Sequence, residues 1–167
     1  MSKTKATPLA KDFMTKHVHT VAPDMPLADV VSCLLKHKIS NVPVVEKKDG
    51  GEILIGFVSE GDCLEFLSNE LFYGNPSPPQ TARTIMKRHP VCVTPDTNLF
   101  ALASVFVNHR LRHLPVVEDQ NLVGIVSRRD ILKATDDYYR NLMKQRDKDR
   151  ERPDIREIMY HRFMVSD

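Results

Sequence analysis

The most constraining feature of this chain is an internal repeat. Three stretches return in the same order: residues 20–24 as 92–96, 37–46 as 109–118, and 56–62 as 124–130. The last of these keeps the pattern Gly-x-Val-Ser-x-x-Asp in both copies. A repeat of this length fixes the unit of folding, and it predicts two similar lobes that face each other across a crevice.

Composition limits the class of protein. The chain has 167 residues, of which 41% are hydrophobic and 28% charged, so it fits one compact domain or two small halves that stabilise each other. A formal net charge of +2 is too small to indicate a nucleic-acid or membrane surface. Residues 1–11 lack the apolar segment of a secretory signal, and the three cysteines follow no ligand spacing. We therefore expect a cytoplasmic protein with reduced thiols, without a membrane span or a nucleic-acid partner.

Each copy is predicted to form a β-α-β-β-α unit. A short extended piece ends at Pro-Asp and precedes a helix, a hairpin and a second helix. The strands Val42–Glu46 and Leu114–Glu118 each carry a proline near the start, which predicts a position at the sheet edge. The hairpin turn is predicted to be long in the first copy (Lys47–Gly51) and short in the second (Asp119–Asn121). The predicted fold is α+β, with two pseudo-symmetric repeats packed sheet to sheet and helices outside.

The same patterns give the predicted boundaries. They are an N-terminal tail over 1–12, a first repeat over 13–73, a proline-rich linker over 74–83, a second repeat over 84–140 and a charged extension over 141–167. Within the extension, apolar residues between Ile155 and Phe163 have helical spacing. They predict a short amphipathic helix that serves as an output element, locks a dimer, or folds onto its own core.

The repeated motifs resemble a tandem pair of CBS (cystathionine β-synthase) domains, known as a Bateman module. The resemblance rests on these stretches in order: Phe13-Met14-Thr15 and Ile85-Met86-Lys87, residues 93–97, the two Val/Leu-Pro-Val-Val strands and the two Gly-x-Val-Ser-x-x-Asp motifs. It implies a standalone regulatory module without catalytic activity, which takes part in energy sensing, forms a homodimer and signals to an unknown effector protein. The implied ligand is AMP, ADP or ATP, or S-adenosylmethionine, held in the cleft between paired repeats.

The resemblance also implies the ligand-binding residues. A carboxylate can accept hydrogen bonds from two adjacent ribose hydroxyls, and Asp130, with Ser127 beside it, is the implied acceptor. Arg112 and His113 are the implied phosphate neighbours, and Thr94 and the main chain over 111–114 are implied adenine neighbours. Arg128, Arg129 and Lys133 add positive charge near the same helix start, and the sequence leaves open which of them points inward. The full implied set is Thr20, Ile39, Ser40, Asn41, Val42, Pro43, Ser59 and Asp62 in the first copy, and Thr94, Leu111, Arg112, His113, Leu114, Pro115, Ser127, Arg128 and Asp130 in the second.

The Ser-x-x-Asp motif has a second interpretation. After a strand it is also a helix-capping box, in which the serine caps free N–H groups and the acid reaches back. Both roles can coexist, because the start of the helix presents both side chains at the crevice.

The two copies differ, so we expect unequal sites. Ser40 and Asn41 stand where the second copy has Arg112 and His113, and Glu60 stands in place of Arg128. An acid beside a phosphate weakens binding through like charge. The site that uses Asp130 is expected to favour a phosphorylated ligand, and the other is expected to stay empty or to take a less charged adenosyl compound. Phosphate contacts can also come from the copy opposite the ribose acid.

Two other functions stay open. The first is a structural dimerisation module whose ligand site has decayed, which the differences in the first copy favour. The second is a nucleotide hydrolase, although the sequence offers no activated nucleophile or metal cage for it. His109 and His113 are four residues apart, but the end of a helix explains His109 better than a metal does, and no Cys/His cluster has zinc spacing. The charges of residues 144–156 alternate in sign, which is typical of a solvated helix.

Overall fold

A computed structural model describes residues 6–74 and 78–150 of the chain. The chain divides into two units, residues 1–131 and residues 132–167, which are described separately. The helices are α1 (Ala10–Phe13), α2 (Leu27–His37), α3 (Glu60–Tyr73), α4 (Ala82–Ile85), α5 (Leu99–His109) and α6 (Arg128–Arg150). The strands are β1 (Asn41–Lys48), β2 (Gly51–Ser59), β3 (Lys87–Arg88), β4 (His113–Glu118) and β5 (Asn121–Ser127).

The first unit contains two antiparallel hairpins, which confirms the mixed α+β fold predicted from the sequence. The strands run in the order β1-β2-β5-β4, and Ile53 pairs with Asn121 where the two hairpins meet. Proline lacks a ladder donor, so Pro43 and Pro115 lie on the outer strands β1 and β4. Their carbonyls accept hydrogen bonds from the N–H groups of Val21 and Val93, at 3.1 and 3.0 Å. The extended piece predicted at the start of each repeat therefore pairs with the outer strand at one residue, through a parallel bridge of Val21 to Val44 or of Val93 to Val116.

Both hairpins close with a two-residue turn. Asp49 and Gly50 have φ of 49° and 81°, and Asp119 and Gln120 have φ of 49° and 69°. Positive φ at both central residues is the type I′ geometry that matches the twist of the strands. The long turn predicted for the first hairpin is wrong, because Lys48 pairs with Gly51 and both strands extend to the turn.

The first repeat has a continuous hydrophobic core. Leu27, Val30 and Leu34 lie at helical spacing on α2 and are at most 9% exposed. They pack with Val42, Val44 and Val58, from strands that face the helix. Ala82, from the predicted linker, and Ile85, from the start of the predicted second repeat, belong to the same core.

The segment around the start of each predicted repeat packs on the other repeat. The N–H group of Ala82 donates to the carbonyl of Met25 at 2.9 Å, and β3 then pairs with β2. In the same way Ala10 donates to Thr97 at 2.8 Å, and Thr15 pairs with Ile125. The end of the tail, together with residues 13–15, therefore packs on the second repeat rather than on the first. We call these two pieces, residues 10–15 and 82–87, the crossover segments.

Glycine is needed where each crossover segment passes over the central strands. A Cβ atom on Gly124 would lie 2.6 Å from the sulfur of Met14 and 3.1 Å from the carbonyl oxygen of Thr15. Gly56 is covered in the same way by Met86 and by the carbonyl oxygen of Lys87. The glycine shared by the two repeated motifs thus lets the backbones approach closely.

The described part of the second unit, residues 132–150, is the continuation of α6. Arg140 and Asp136, one turn apart, form an exposed ion pair at 2.7 Å. The amphipathic helix predicted over 153–165 lies outside the described residues. Within the part of the chain that the structure describes, no helix is long and apolar enough to span a membrane.

Candidate functional site

The Ser-x-x-Asp motif forms the same hydrogen-bonded box in both repeats. In the second repeat, the N–H and hydroxyl of Ser127 donate to Oδ2 of Asp130 at 2.8 and 2.7 Å. The Ser127 hydroxyl in turn accepts from the N–H of Asp130 at 3.2 Å. Ser59 and Asp62 repeat these contacts at 2.8, 2.6 and 3.2 Å. The capping interpretation of the motif is therefore confirmed, and each box holds its carboxylate in a fixed orientation.

The second carboxylate oxygen differs between the two boxes. Oδ1 of Asp62 lies 3.2 Å from the ammonium of Lys87, on the crossover segment. Thr15 occupies the position of Lys87 in the other half, because it pairs with Ile125 as Lys87 pairs with Phe57. None of the described residues donates a hydrogen bond or a salt bridge to Oδ1 of Asp130. Of the two boxes, the one in the second repeat therefore leaves a carboxylate oxygen without a donor from the described residues.

Asp62 is the buried member of the pair. Burial acts to raise the pKa of Asp62, but hydrogen bonds from Ser59 and the charge of Lys87 outweigh it and leave the pKa below its usual value. Asp62 is thus ionised at neutral pH, and its charge is compensated from within the protein.

Asp130 borders a cavity of about 350 Å³, a volume suited to a small ligand. One wall comes from Ile39 and the start of β1, and another from the start of β4, the end of β5 and the start of α6. The stretch between α1 and residue 20 completes the lining. The lining residues are Thr15, His17, Val18, His19, Ile39, Asn41, Pro43, His113, Ile125, Ser127 and Asp130. We call this space the Asp130 cavity.

The Asp130 cavity brings together part of the residue set implied by the sequence. Six of those residues line it: Ile39, Asn41, Pro43, His113, Ser127 and Asp130. Thr20 lines a different cavity. Val42 and Leu114 are fully buried in the sheet. The rest of the set, Ser40, Ser59, Asp62, Thr94, Leu111, Arg112, Pro115 and Arg128, does not line it.

The arrangement differs from the expected one in two respects. Asp130 shares the cavity with the 39–43 stretch of the opposite repeat and with His113, whereas Leu111, Arg112 and Leu114 do not line it. Among the described residues that line the cavity, none is lysine or arginine, so neither the phosphate neighbour expected at Arg112 nor the charge of Arg128 is brought there. The nitrogen bases that line the cavity are the imidazoles of His17, His19 and His113.

The cavity also has lining residues that the resemblance does not imply: Thr15, His17, Val18, His19 and Ile125. The alternation of His17 and His19 along an extended segment predicts that they face the same side, and both do. The His19 ring stacks on His37 with centroids 3.7 Å apart. Desolvation, with the nearby His19 and Lys36, lowers the pKa of His37. No group of three or more potential metal ligands occurs within residues 6–74 and 78–150.

His113 lies between the cavity and the sheet. Burial lowers its pKa; the Asp130 carboxylate acts in the opposite sense, and Arg112 and Arg128 add to the lowering. Its Nδ1 is buried and has no hydrogen-bond partner within the described part of the chain. With its pKa lowered in this way, the half-buried imidazole stays neutral in the folded protein at neutral pH.

This gives a pH-dependent prediction. The unfolded chain protonates His113 near its ordinary pKa of about 6.5, before the folded protein does, so stability is lost as the pH falls below that value. The loss levels off once the pH is below the folded pKa. His113→Asn introduces the residue of the first repeat at the equivalent position 41, and it removes this contribution. Urea denaturation between about pH 7 and pH 5 should show a steeper loss for the wild type than for the variant. Parallel pH profiles would show that His113 is not the group responsible.

Comparison with known proteins identifies the architecture. The CBS domain family model matches residues 10–69 and 82–137, together more than half of the chain. The uncharacterized protein MJ1426 of Methanocaldococcus jannaschii is 31% identical over 155 residues, a match that covers 75% of this chain and 90% of that protein.

Two solved structures are similar throughout the repeats. The CBSX2 protein of Arabidopsis thaliana in complex with AMP has a TM-score of 0.65 and 30% identity, covering 76% of this chain and 95% of that chain. The CBS domain pair of protein MJ0100, in complex with 5′-methylthioadenosine and S-adenosyl-L-methionine, has a TM-score of 0.64 and 25% identity. That match covers 77% of this chain and 99% of that chain.

Proposed function

The chain belongs to the CBS domain family, and from this we propose that it is a regulatory module that binds an adenosyl ligand in the Asp130 cavity. The single observation that carries the proposal is the state of the Asp130 carboxylate. Oδ2 is held by Ser127, and Oδ1 has no donor among the described residues. The two adjacent hydroxyls of a ribose are suited to donate to such an oriented, half-buried carboxylate.

The rest of the cavity suits the other parts of an adenosyl compound. Val18, Ile39, Pro43 and Ile125 give it apolar walls against which a purine can pack, and Asn41 offers an amide donor and acceptor for a base edge. The similar structures with AMP and with S-adenosyl-L-methionine support this ligand class.

We propose a non-catalytic role. The Ser127 hydroxyl donates to Asp130 and accepts from a main-chain N–H group, so it is committed to a helix cap rather than activated as a nucleophile. The ligand then acts by differential affinity for two conformations of the module or of its complex with an effector protein. The unpaired thiols of Cys33, Cys63 and Cys92 suit a reducing compartment such as the cytoplasm.

The module is proposed to form a homodimer. The helices of the first repeat expose large apolar side chains, including Leu35 at 71%, Leu64 at 63% and Leu71 at 83%. Large apolar side chains exposed on the helices of one repeat favour an interaction surface, and a second copy of the same face would bury them.

A ligand panel tests the proposal. Adenosine, AMP, ADP, ATP, S-adenosylmethionine and guanosine are added separately, and thermal unfolding is followed. A compound at about a hundred times its Kd should stabilise the fold by roughly 2.7 kcal/mol. We expect adenosyl compounds to stabilise the protein and guanosine not to. No shift with any adenosyl compound would favour the structural dimerisation module instead, and steady release of phosphate would favour a hydrolase.

A further inference from the structure

The two halves of this module are built alike, and one of their differences is a cation beside the carboxylate. Lys87 and Thr15 occupy equivalent places on the crossover segments, beside the boxes of Asp62 and Asp130. The Lys87 ammonium lies 3.2 Å from Oδ1 of Asp62, the oxygen that in the other half has no donor among the described residues. We call the group formed by Ser59, Asp62 and Lys87 the Asp62 half.

The geometry of the central strands explains why Lys87 reaches Asp62. Lys87 pairs with Phe57, and Ser59 lies two residues further along the same strand. Side chains two residues apart on a strand face the same side, so the crossover segment delivers its side chain to the box. Close packing of the segment over Gly56 fixes that position.

We propose that Lys87 determines the ligand specificity of the Asp62 half, disfavouring uncharged adenosyl compounds and favouring those that carry phosphate. This inference rests on the proposed function, because it treats Asp62 as the counterpart of the ribose acceptor Asp130. This proposal reverses the expectation from the sequence. There the Asp130 site favours the phosphorylated ligand, and the site of Asp62 stays empty or takes a less charged adenosyl compound.

The physical reason lies in the different exposure of the two partners. The Asp62 side chain is 11% exposed, whereas that of Lys87 is 77% exposed and has a flexible stem. An uncharged riboside that takes Oδ1 leaves the ammonium without its carboxylate. A phosphorylated riboside replaces the lost carboxylate partner. The Lys87 ammonium swings aside on its flexible stem and donates to the phosphate instead. Thr15 imposes no such requirement on the Asp130 cavity.

The test exchanges the two residues between the halves. Lys87→Thr gives the Asp62 half the residue of the other half, and Thr15→Lys does the reverse. Both positions are exposed, so both variants should fold, which thermal unfolding checks. Binding of adenosine and of AMP is followed by NMR on the amide signals of Ser59 and Asp62 for one half, and of Ser127 and Asp130 for the other.

In the wild type we expect adenosine to bind beside Asp130 and AMP to bind the Asp62 half more tightly than adenosine does. Lys87→Thr should strengthen adenosine binding in the Asp62 half by roughly fivefold, and Thr15→Lys should weaken it beside Asp130 by a similar factor. The preference of the Asp62 half for AMP should fall in Lys87→Thr.

The outcomes separate the two proposals. Unchanged adenosine affinity of the Asp62 half in Lys87→Thr, with normal binding beside Asp130, would overturn the role of Lys87 and leave the proposed function intact. If adenosine and AMP moved neither pair of signals, both proposals would be overturned.

Discussion

Asp130→Ala is expected to weaken adenosine binding on the order of 100-fold, because about 3 kcal/mol of hydrogen bonding to a charged acceptor is lost. The variant also loses a helix cap, since Oδ2 accepts from both groups of Ser127. That loss should lower the free energy of unfolding by about 1 kcal/mol. Isothermal titration calorimetry gives the first quantity and urea denaturation the second.

The first repeat supplies a matched control for this prediction. Asp62→Ala removes the same cap from an equivalent box, together with an ion pair to a largely exposed lysine. Its effect on stability should be similar, because ion pairs with exposed partners contribute little. Adenosine binding beside Asp130 should be unchanged. If Asp130→Ala lowered only the stability, the box would be a cap and nothing more; equal losses of binding in both variants would place the ligand elsewhere.

Leu34→Ala is expected to cost about 2–5 kcal/mol of unfolding free energy, the largest effect on stability predicted for this chain. The Leu34 side chain is 3% exposed and lies on the buried face of α2, in the core formed with β1 and β2. Truncation leaves a cavity that the close-packed neighbours fill only in part. Urea denaturation followed by circular dichroism measures the loss.

The neighbouring residue is the control for the core and a probe of the dimer. Leu35 is 71% exposed, so Leu35→Ala should change the stability of the folded chain by less than about 0.5 kcal/mol. It should weaken self-association, which sedimentation equilibrium measures against the chain mass of 19.1 kDa. Similar losses of stability at positions 34 and 35 would contradict the assigned face of α2. A wild type that sediments only at 19.1 kDa would contradict the homodimer.

Local chemistry explains what could be predicted from the sequence. The serine and the acid of each box are three residues apart after a strand, so their cap depends on short-range geometry that sequence spacing carries. The apolar spacing of α2 and the edge prolines are local signals of the same kind. The sequence predicts too long a first hairpin turn, because the polar residues around Asp-Gly are also typical of a longer loop. In the structure Asp49 and Gly50 accept positive φ and close the turn alone.

The set of residues that line the cavity could not be predicted from such local signals. His17, His19 and Thr15 line it because the chain crosses from one repeat to the other, and no local pattern reports which lobe a crossing segment joins. Arg112 and Arg128 are close in sequence to cavity residues, yet neither lines the cavity.

By itself, the sequence determined the repeat, its order of strands and helices, and the paired serine–acid caps, because these follow from periodicity and contacts over a few residues. Only the tertiary structure decided that the two acids have different surroundings. Lys87 meets Asp62 and Thr15 lies near Asp130 through pairings between segments far apart in the chain, and such long-range contacts leave no spacing in the sequence from which to infer them.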